Sequence, residues 1–341
     1  MDRLPDIFLK YKPYIDRQLR SMVQGRELPL YDMIRYHLGW QDKEGKAIEA
    51  HTGKYLRATL CLLGCECTGS NFDKALPLAG AIEYIHNFSL IHDDIQDNDR
   101  VRRHRPTVWS IWGKPQAINA GSAMSSIAGL ALGELDRLGV EARKQLDAAA
   151  IMDNACLEML EGQYLDISFE ARPEIGLDEY MVMIEKKTSA LIRASLMMGA
   201  SLNLDKKSLD PFSLLGSNLG LAFQIKDDIL GIWGNDYKTG KPNGSDIRKK
   251  KKSFPIVLLL ERLNPKKKEI LLDIYNSTNM TAEDVALVIS WLDEIGARHY
   301  SQEKADYYYS RTLESIEALP ARGPMKSQFR KVSEFLVKRE F

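Results

Sequence analysis

Two pairs of adjacent aspartates, Asp93-Asp94 and Asp227-Asp228, each close a long apolar stretch of this 341-residue chain. The stretch before the first pair runs from Leu78 to His92 and is long enough for a core helix. Asp97 follows Asp93 by one helical turn, so their carboxylates share a face. Before the second pair stands Leu219-Gly220-Leu221-Ala222-Phe223-Gln224-Ile225-Lys226, where Gln224, Asp227, Asp228 and Gly231 recur at helical period. Like charges at such spacing destabilise a helix by about 0.2–0.5 kcal/mol at a surface, and by more when buried. Two acidic faces meeting inside a protein repel each other unless cations neutralise them. Magnesium suits that task, because it takes oxygen ligands and is usually held by one or two carboxylates together with substrate phosphates. The pattern points to divalent metal gripping a diphosphate between two helices.

Turn signals recur at helix-length intervals and strand-like alternation is scarce, so the chain is expected to be all-α. Helices are predicted over residues 7–24, 30–38, 55–68, 76–97, 106–111, 115–138, 141–166, 177–199, 208–232, 254–262, 266–277, 282–318 and 325–338, with a break near Gly296. Thr281 and Asp284 are spaced as a capping box. No Gly/Ser/Pro linker, internal repeat or change of charge divides the sequence. Residues 1–341 are therefore read as one domain, a bundle whose inner helices surround a cavity.

Charge narrows the function classes. The 47 Lys and Arg balance 47 Asp and Glu, so no global field attracts nucleic acid and any phosphate recognition has to be local. No uninterrupted apolar run reaches membrane-spanning length. The first six residues carry no signal-peptide pattern, and Cys61, Cys65, Cys67 and Cys156 are expected as reduced thiols packed in the core. Both features point to the cytoplasm.

Several short patterns recur together between about Gly53 and Ser253, and in this order they resemble the trans-prenyl diphosphate synthases, or polyprenyl synthetases. Gly53-Lys54-Tyr55-Leu56-Arg57 is similar to the family's segment for the isopentenyl diphosphate headgroup, with His86 as a third contact. Lys54 offers a point charge and Arg57 a planar fork, both suited to phosphate oxygens. The cluster Asp93 to Asp97 resembles the family's first aspartate-rich motif, which implies that Asp93 and Asp97, supported by Asp94, ligate magnesium on an allylic diphosphate. The pair Arg102-Arg103 matches the family's arginines for the allylic and the isopentenyl diphosphate respectively, and His104 stands where many members have Gly. Gln163 and Asp166 match a motif near the allylic pocket. By the same resemblance Lys187, Lys241 and Lys251 contact the allylic diphosphate, while Thr188 and Gln224 turn oxygens toward the allylic cation. The register of Lys251 is open among Lys249, Lys250 and Lys252. Asp227 and Asp228 belong to the second motif, which implies that they are metal residues with Asp227 the ligand of a third magnesium; Gly231 replaces the motif's usual third Asp, and Asp246 matches a helping Asp of the following loop.

The resemblance implies a magnesium-dependent condensation of isopentenyl diphosphate with allylic diphosphates, three metal ions per loaded site, and a homodimer formed through the apolar helices 115–138 and 141–166. Ionisation of the allylic ester separates charge, and preplaced cations stabilise that separation as it develops. Phe88 lies five residues before Asp93, roughly 7.5 Å along a helix axis. Ser89 beside it is small, and in the family an aromatic residue at Phe88's position, with no insertion inside the aspartate motif, goes with a geranylgeranyl (C20) product. The resemblance thus implies Phe88 and Ser89 as chain-length determinants and C20 ahead of farnesyl diphosphate. Two alternatives are a class I terpene synthase on the same fold and a non-catalytic partner subunit. The basic set around Lys54 argues against the first, and the intact first aspartate cluster against the second.

Overall fold

The computed structural model describes residues 4–48, 50, 53–234 and 244–338. As expected, it is built almost wholly of α-helices. In chain order these are α1 (Asp6–Ser21), α2 (Pro29–His37), α3 (Leu56–Cys67), α4 (Leu76–Gln96), α5 (Val108–Trp112), α6 (Lys114–Leu132), α7 (Glu134–Arg137), α8 (Ala142–Glu170), α9 (Leu177–Ile184), α10 (Ala190–Ser201) and α11 (Asp210–Trp233). After the loop come α12 (Ser245–Arg248), α13 (Phe254–Arg262), α14 (Pro265–Asn276), α15 (Ala282–Glu294), α16 (Ala297–Ala318) and α17 (Gly323–Val337). Pro29, Pro77, Pro115 and Pro255 sit in first turns, where the missing N–H costs nothing. The capping box forms: Asp284 N–H donates to Thr281 Oγ1 at 3.1 Å, and Thr281 N–H donates back to Asp284 Oδ2 at 2.9 Å. Gly296, at φ 67°, makes the break between α15 and α16.

Three local readings change. The segment 115–138 splits at Gly133 into α6 and α7. The segment 177–199 is interrupted by a π turn at Glu185–Ser189. The basic run before Pro106 forms a two-stranded hairpin, β1 (Val101–Arg102) with β2 (Arg105–Pro106), that periodicity over so few residues did not reveal. Its turn residues Arg103 and His104 both have positive φ, 51° and 62°. Such a two-residue turn matches the twist of its strands but favours glycine, which accounts for the frequent Gly at His104's position.

α4 packs along α6, α3 along α10, and α11 along α16 and α10. α4 is apolar nearly all round, as an inner helix should be. The largest hydrophobic cluster joins α1, α3, α4, α6, α10 and α17, and two smaller clusters lie around α13. Cys61, Cys65 and Cys67 are buried free thiols, and Cys156 is half-buried. No helix among the described residues is long and apolar enough to cross a membrane.

Candidate active site

The first acidic cluster stands at the C-terminal end of α4, with Asp97 capping the helix. Burial pushes the Asp93 carboxyl up to about 6; Lys187 pulls it back, and Asp97 and Asp166 push it further. Asp94, 2% exposed, accepts from Arg102 Nε at 2.7 Å, while its Oδ2 has no partner among the described residues. Its carboxyl is also raised to about 6, by burial against the pull of Arg102. Burial raises Asp97 as well. These carboxylates sit where positive charge is wanted, and their hard oxygens fit magnesium. Among the described residues no three His, Cys, Asp or Glu side chains converge to hold a cation unaided. Magnesium completed by phosphate oxygens needs no such cage.

The second cluster divides its labour. Asp227 is exposed, whereas Asp228 is fully buried. Asp228 Oδ2 accepts from the Tyr180 hydroxyl and from Phe254 N–H at 2.9 Å. Asp228 Oδ1 accepts from Gln224 Nε2 at 3.0 Å and lies 3.4 Å from Lys251 Nζ. With its oxygens committed to Tyr180, Phe254 N–H, Gln224 and Lys251, Asp228 acts as a structural hub. Helical period places both residues on one broad face but does not say which one turns to the core.

The π turn carries Lys187 and Thr188 toward α8 and α11. Lys187 Nζ donates to Asp166 Oδ2 at 2.5 Å, and Thr188 Oγ1 donates to Gln224 Oε1 at 2.8 Å. The hydrogen-bond chain from Thr188 through Gln224 to Asp228 fixes which end of the amide faces which partner. Gly162 is what lets α8 come so close, since a Cβ there would lie 2.2 Å from the Lys187 backbone nitrogen. Gln163 Nε2 donates to Gln96 Oε1 at 2.9 Å, tying α8 to the end of α4.

The basic residues assemble around His86, two turns before Asp93 on α4. Arg57 Nη1 lies 3.2 Å from His86 Nε2, and Arg103 packs against Gly53, whose Cβ would fall 3.1 Å from Nη2. Burial pulls the Arg57 guanidinium down to about 10 and drives His86 well below the ordinary imidazole value. Lys54 Nζ sits 4.5 Å from the centre of the Phe335 ring, so α17 backs this subsite.

Phe88, Ser89, His92, Asp93, Lys187, Thr188 and Gln224 border one cavity of about 180 Å³, and Arg57 and His86 also reach it. Phe88 packs edge-on against His92 with centroids 4.9 Å apart. The Ser89 hydroxyl donates to the His86 carbonyl at 2.8 Å. Of the four consecutive lysines Lys251 turns inward, 3.4 Å from Asp228 and 3.9 Å from Asp246. Burial opposes its charge, but Asp228, Asp246 and Asp227 outweigh burial and hold it above the ordinary lysine value. Lys249 pairs with Asp99 at 2.7 Å, linking the loop after α12 to the first cluster. Lys241 lies outside the described residues.

The family model described as Polyprenyl synthetase matches residues 40–292. The chain is 36% identical to a geranylgeranyl diphosphate synthase of Mycobacterium tuberculosis, over 90% of this chain and 85% of that one. The chain belongs to the polyprenyl synthetase family. Its sequence is also 33% identical to a (2E,6E)-farnesyl diphosphate synthase of Mycobacterium bovis, over 94% of this chain and 89% of the relative. The crystal structure of a polyprenyl synthetase from Streptomyces coelicolor A3(2) superposes with a TM-score of 0.92 at 32% identity, covering 98% of this chain and 100% of that one.

Four side chains of this polyprenyl synthetase's site escaped the sequence reading. Tyr180 anchors Asp228, and Phe335 lies under Lys54. Glu83 and Asn87 are buried on α4 behind Arg57. Glu83 alone had a visible signal, a lone acid inside an apolar helix; the others depend on long-range packing.

Proposed function

We propose that this chain, acting as one domain over residues 1–341, is a magnesium-dependent prenyltransferase. It condenses isopentenyl diphosphate with allylic diphosphates to a short all-trans prenyl diphosphate, geranylgeranyl diphosphate ahead of farnesyl diphosphate. One observation carries this reading: Asp93 of the first acidic cluster and Arg57 with His86 of the basic subsite border the same cavity. Isopentenyl diphosphate brings about three negative charges, and Lys54, Arg57 and Arg103 answer them without metal. A terpene synthase would need the metal-side subsite alone.

Asp93, Asp97 and Asp227, with Asp94 in support through Arg102, are the residues that would hold magnesium, three ions when substrate is bound. Bound there, the ions would neutralise the allylic diphosphate and make it a better leaving group. Arg102, Lys187, Lys241 and Lys251 add fixed positive charge on the same side. The allylic carbon–oxygen bond breaks with its electron pair on the diphosphate, and Thr188 and Gln224 present oxygens to the carbocation. The double bond of isopentenyl diphosphate, steered by Lys54, Arg57, His86 and Arg103, forms the new carbon–carbon bond. The proton lost afterwards goes to the released diphosphate, so no side-chain base is assigned. Phe88 and Ser89 line the wall that the growing chain meets.

Leu146, Leu157, Leu160, Tyr164 and Ile167 form one exposed apolar stripe on α8, with Tyr164 72% exposed. A second copy of the chain is the occupant that fits it, in agreement with the expected homodimer, and light scattering tests the mass. For the activity, the enzyme is incubated with magnesium, isopentenyl diphosphate and each allylic starter in turn, and the products are chromatographed. Elongated diphosphates that require both substrates are the expected result. Hydrocarbon or alcohol from the allylic ester alone would overturn it in favour of a cyclase, and turnover only after adding a related synthase would indicate a partner subunit.

A further inference from the structure

Glu83 is 4% exposed inside α4, one turn before His86 and Asn87. A carboxylate so placed is costly unless cations and hydrogen bonds answer it. Asn87 Nδ2 approaches its Oε1 at 3.4 Å, and its Oε2 has no partner among the described residues. Arg57 has the complementary deficit, because its Nε–H is sealed from solvent and also lacks a partner. The backbone N–H of Ala58, the neighbour of Arg57, reaches toward Glu83, and His86 one turn along α4 touches Arg57, so a bridging water or a small rotation can complete the two.

The charges agree with this geometry. Burial raises the Glu83 carboxyl, and Arg57 and then Arg103 pull it back. In return Glu83 supports the charge of Arg57 against burial, and is the foremost acid doing so for Arg103. His86 and His37, depressed by burial and by the neighbouring arginines, bring no charge to the pocket. Glu83 is thus the buried acid to which both guanidiniums couple, and Arg57 with His86 also reaches the cleft.

We propose that Glu83 is a positioning residue: the buried counter-charge that keeps Arg57, and Arg103 beside it, drawn inward and aimed before the isopentenyl diphosphate headgroup arrives. This rests on the reading of Arg57 and Arg103 as that headgroup's subsite. An arginine without its acid leaves the pocket for solvent, and the headgroup then has to recover it at the cost of binding.

The test compares Glu83→Gln, Arg57→Gln and the double variant by steady-state kinetics and thermal melting. Glu83→Gln is expected to raise KM for isopentenyl diphosphate at least fivefold, with KM for the allylic diphosphate and kcat changed less than twofold. Its melting temperature without ligand should fall by several degrees, and the double variant should melt above Glu83→Gln because the uncompensated cation is gone. An unchanged or lowered KM for isopentenyl diphosphate, or equal loss toward both substrates, would overturn the proposal. Should Glu83→Gln fail to fold, a cooperative melt regained in the double variant supports the counter-charge, and no recovery overturns it. If Arg57→Gln leaves KM for isopentenyl diphosphate untouched, the subsite reading and the proposal fall together. If Arg57→Gln raises it and Glu83→Gln does not, the role of Glu83 alone is lost.

Discussion

The carboxylate of Asp246 fills the space that a side chain at Gly231 would occupy: a Cβ there would lie 2.2 Å from Oδ2 and 2.4 Å from Cγ. The glycine that replaces the usual third Asp of the second motif is thus matched by an acid delivered from α12. Ser245 Oγ, beside it, donates to the Gly231 carbonyl at 3.1 Å. Gly231→Ala should push Asp246 away from Lys251 and destabilise the protein by about 1–3 kcal/mol, the usual range for overpacking. Adding Asp246→Gly should recover part of that loss, because the two changes compete for one space. Urea denaturation of the single and double variants measures the coupling, and strictly additive effects would contradict it.

Asp227 and Asp228 should respond in opposite ways. Asp228→Asn weakens the hold on half-exposed Lys251 and leaves one of the buried donors on Asp228 without an acceptor, and should cost about 1–3 kcal/mol of stability. Asp227→Asn, at an exposed position, should leave the melt nearly unchanged while raising the magnesium concentration needed for turnover. Melting curves and magnesium titrations of both variants separate the two roles. Equal stability losses would argue against the division.

Phe88→Ala should lengthen the product. The ring is 6% exposed and stands beside Ser89 on the cavity wall, five residues from Asp93. Because it borders an existing cavity, the stability cost should fall near the low end of the roughly 3–5 kcal/mol range for such truncations. Chromatography of the products decides, and an unaltered chain-length distribution removes Phe88 from the specificity wall.

His37 should make stability depend on pH. Burial and then Arg103 and Arg102 lower its imidazole to about 3, from an ordinary value of 6.5. The unfolded chain therefore takes up a proton that the folded one refuses, and the contribution of His37 is lost as pH falls from about 6.5 toward 3. Asp93 and Asp94, both raised to about 6, act with the opposite sign as pH falls. The difference between wild type and His37→Asn isolates the imidazole: it should shrink from pH 7.5 to pH 5. Thermal melts across that range check this, and a constant difference would count against it.

His104→Gly should relieve the positive-φ turn of the hairpin. A non-glycine residue in that region costs about 1–2 kcal/mol, so the variant should melt slightly higher with unchanged KM values. A lower melting temperature would mean that the histidine earns its place through a contact of its own.

Much of this site could be read from the sequence because short motifs keep their geometry within a single helix. Asp93 with Asp97, and Gln224 with Asp227, are fixed by the helical repeat alone, as was the break at Gly296. What could not be read depends on rotation or on distance in the chain. Periodicity does not tell which of Asp227 and Asp228 faces the core, nor which of four consecutive lysines turns inward. Tyr180 lies 48 positions from Asp228, and Phe335 belongs to a helix with no motif of its own. The hairpin at Arg102 has two residues per strand, too few for alternation to register.

The π turn at Glu185–Ser189 gives one rod two orientations. A π turn amounts to a single extra residue in an α-helix, and one residue advances a helix by about 100°. α9 can thus present Tyr180 to Asp228 while α10 lays a different side against α3, and Lys187 and Thr188 sit at the seam between them. Deleting one residue there would restore a regular spiral and swing either the anchor or the packing face out of line. The polar pair that meets the cavity is therefore carried by an irregularity that the hydrophobic interior on each side keeps in place.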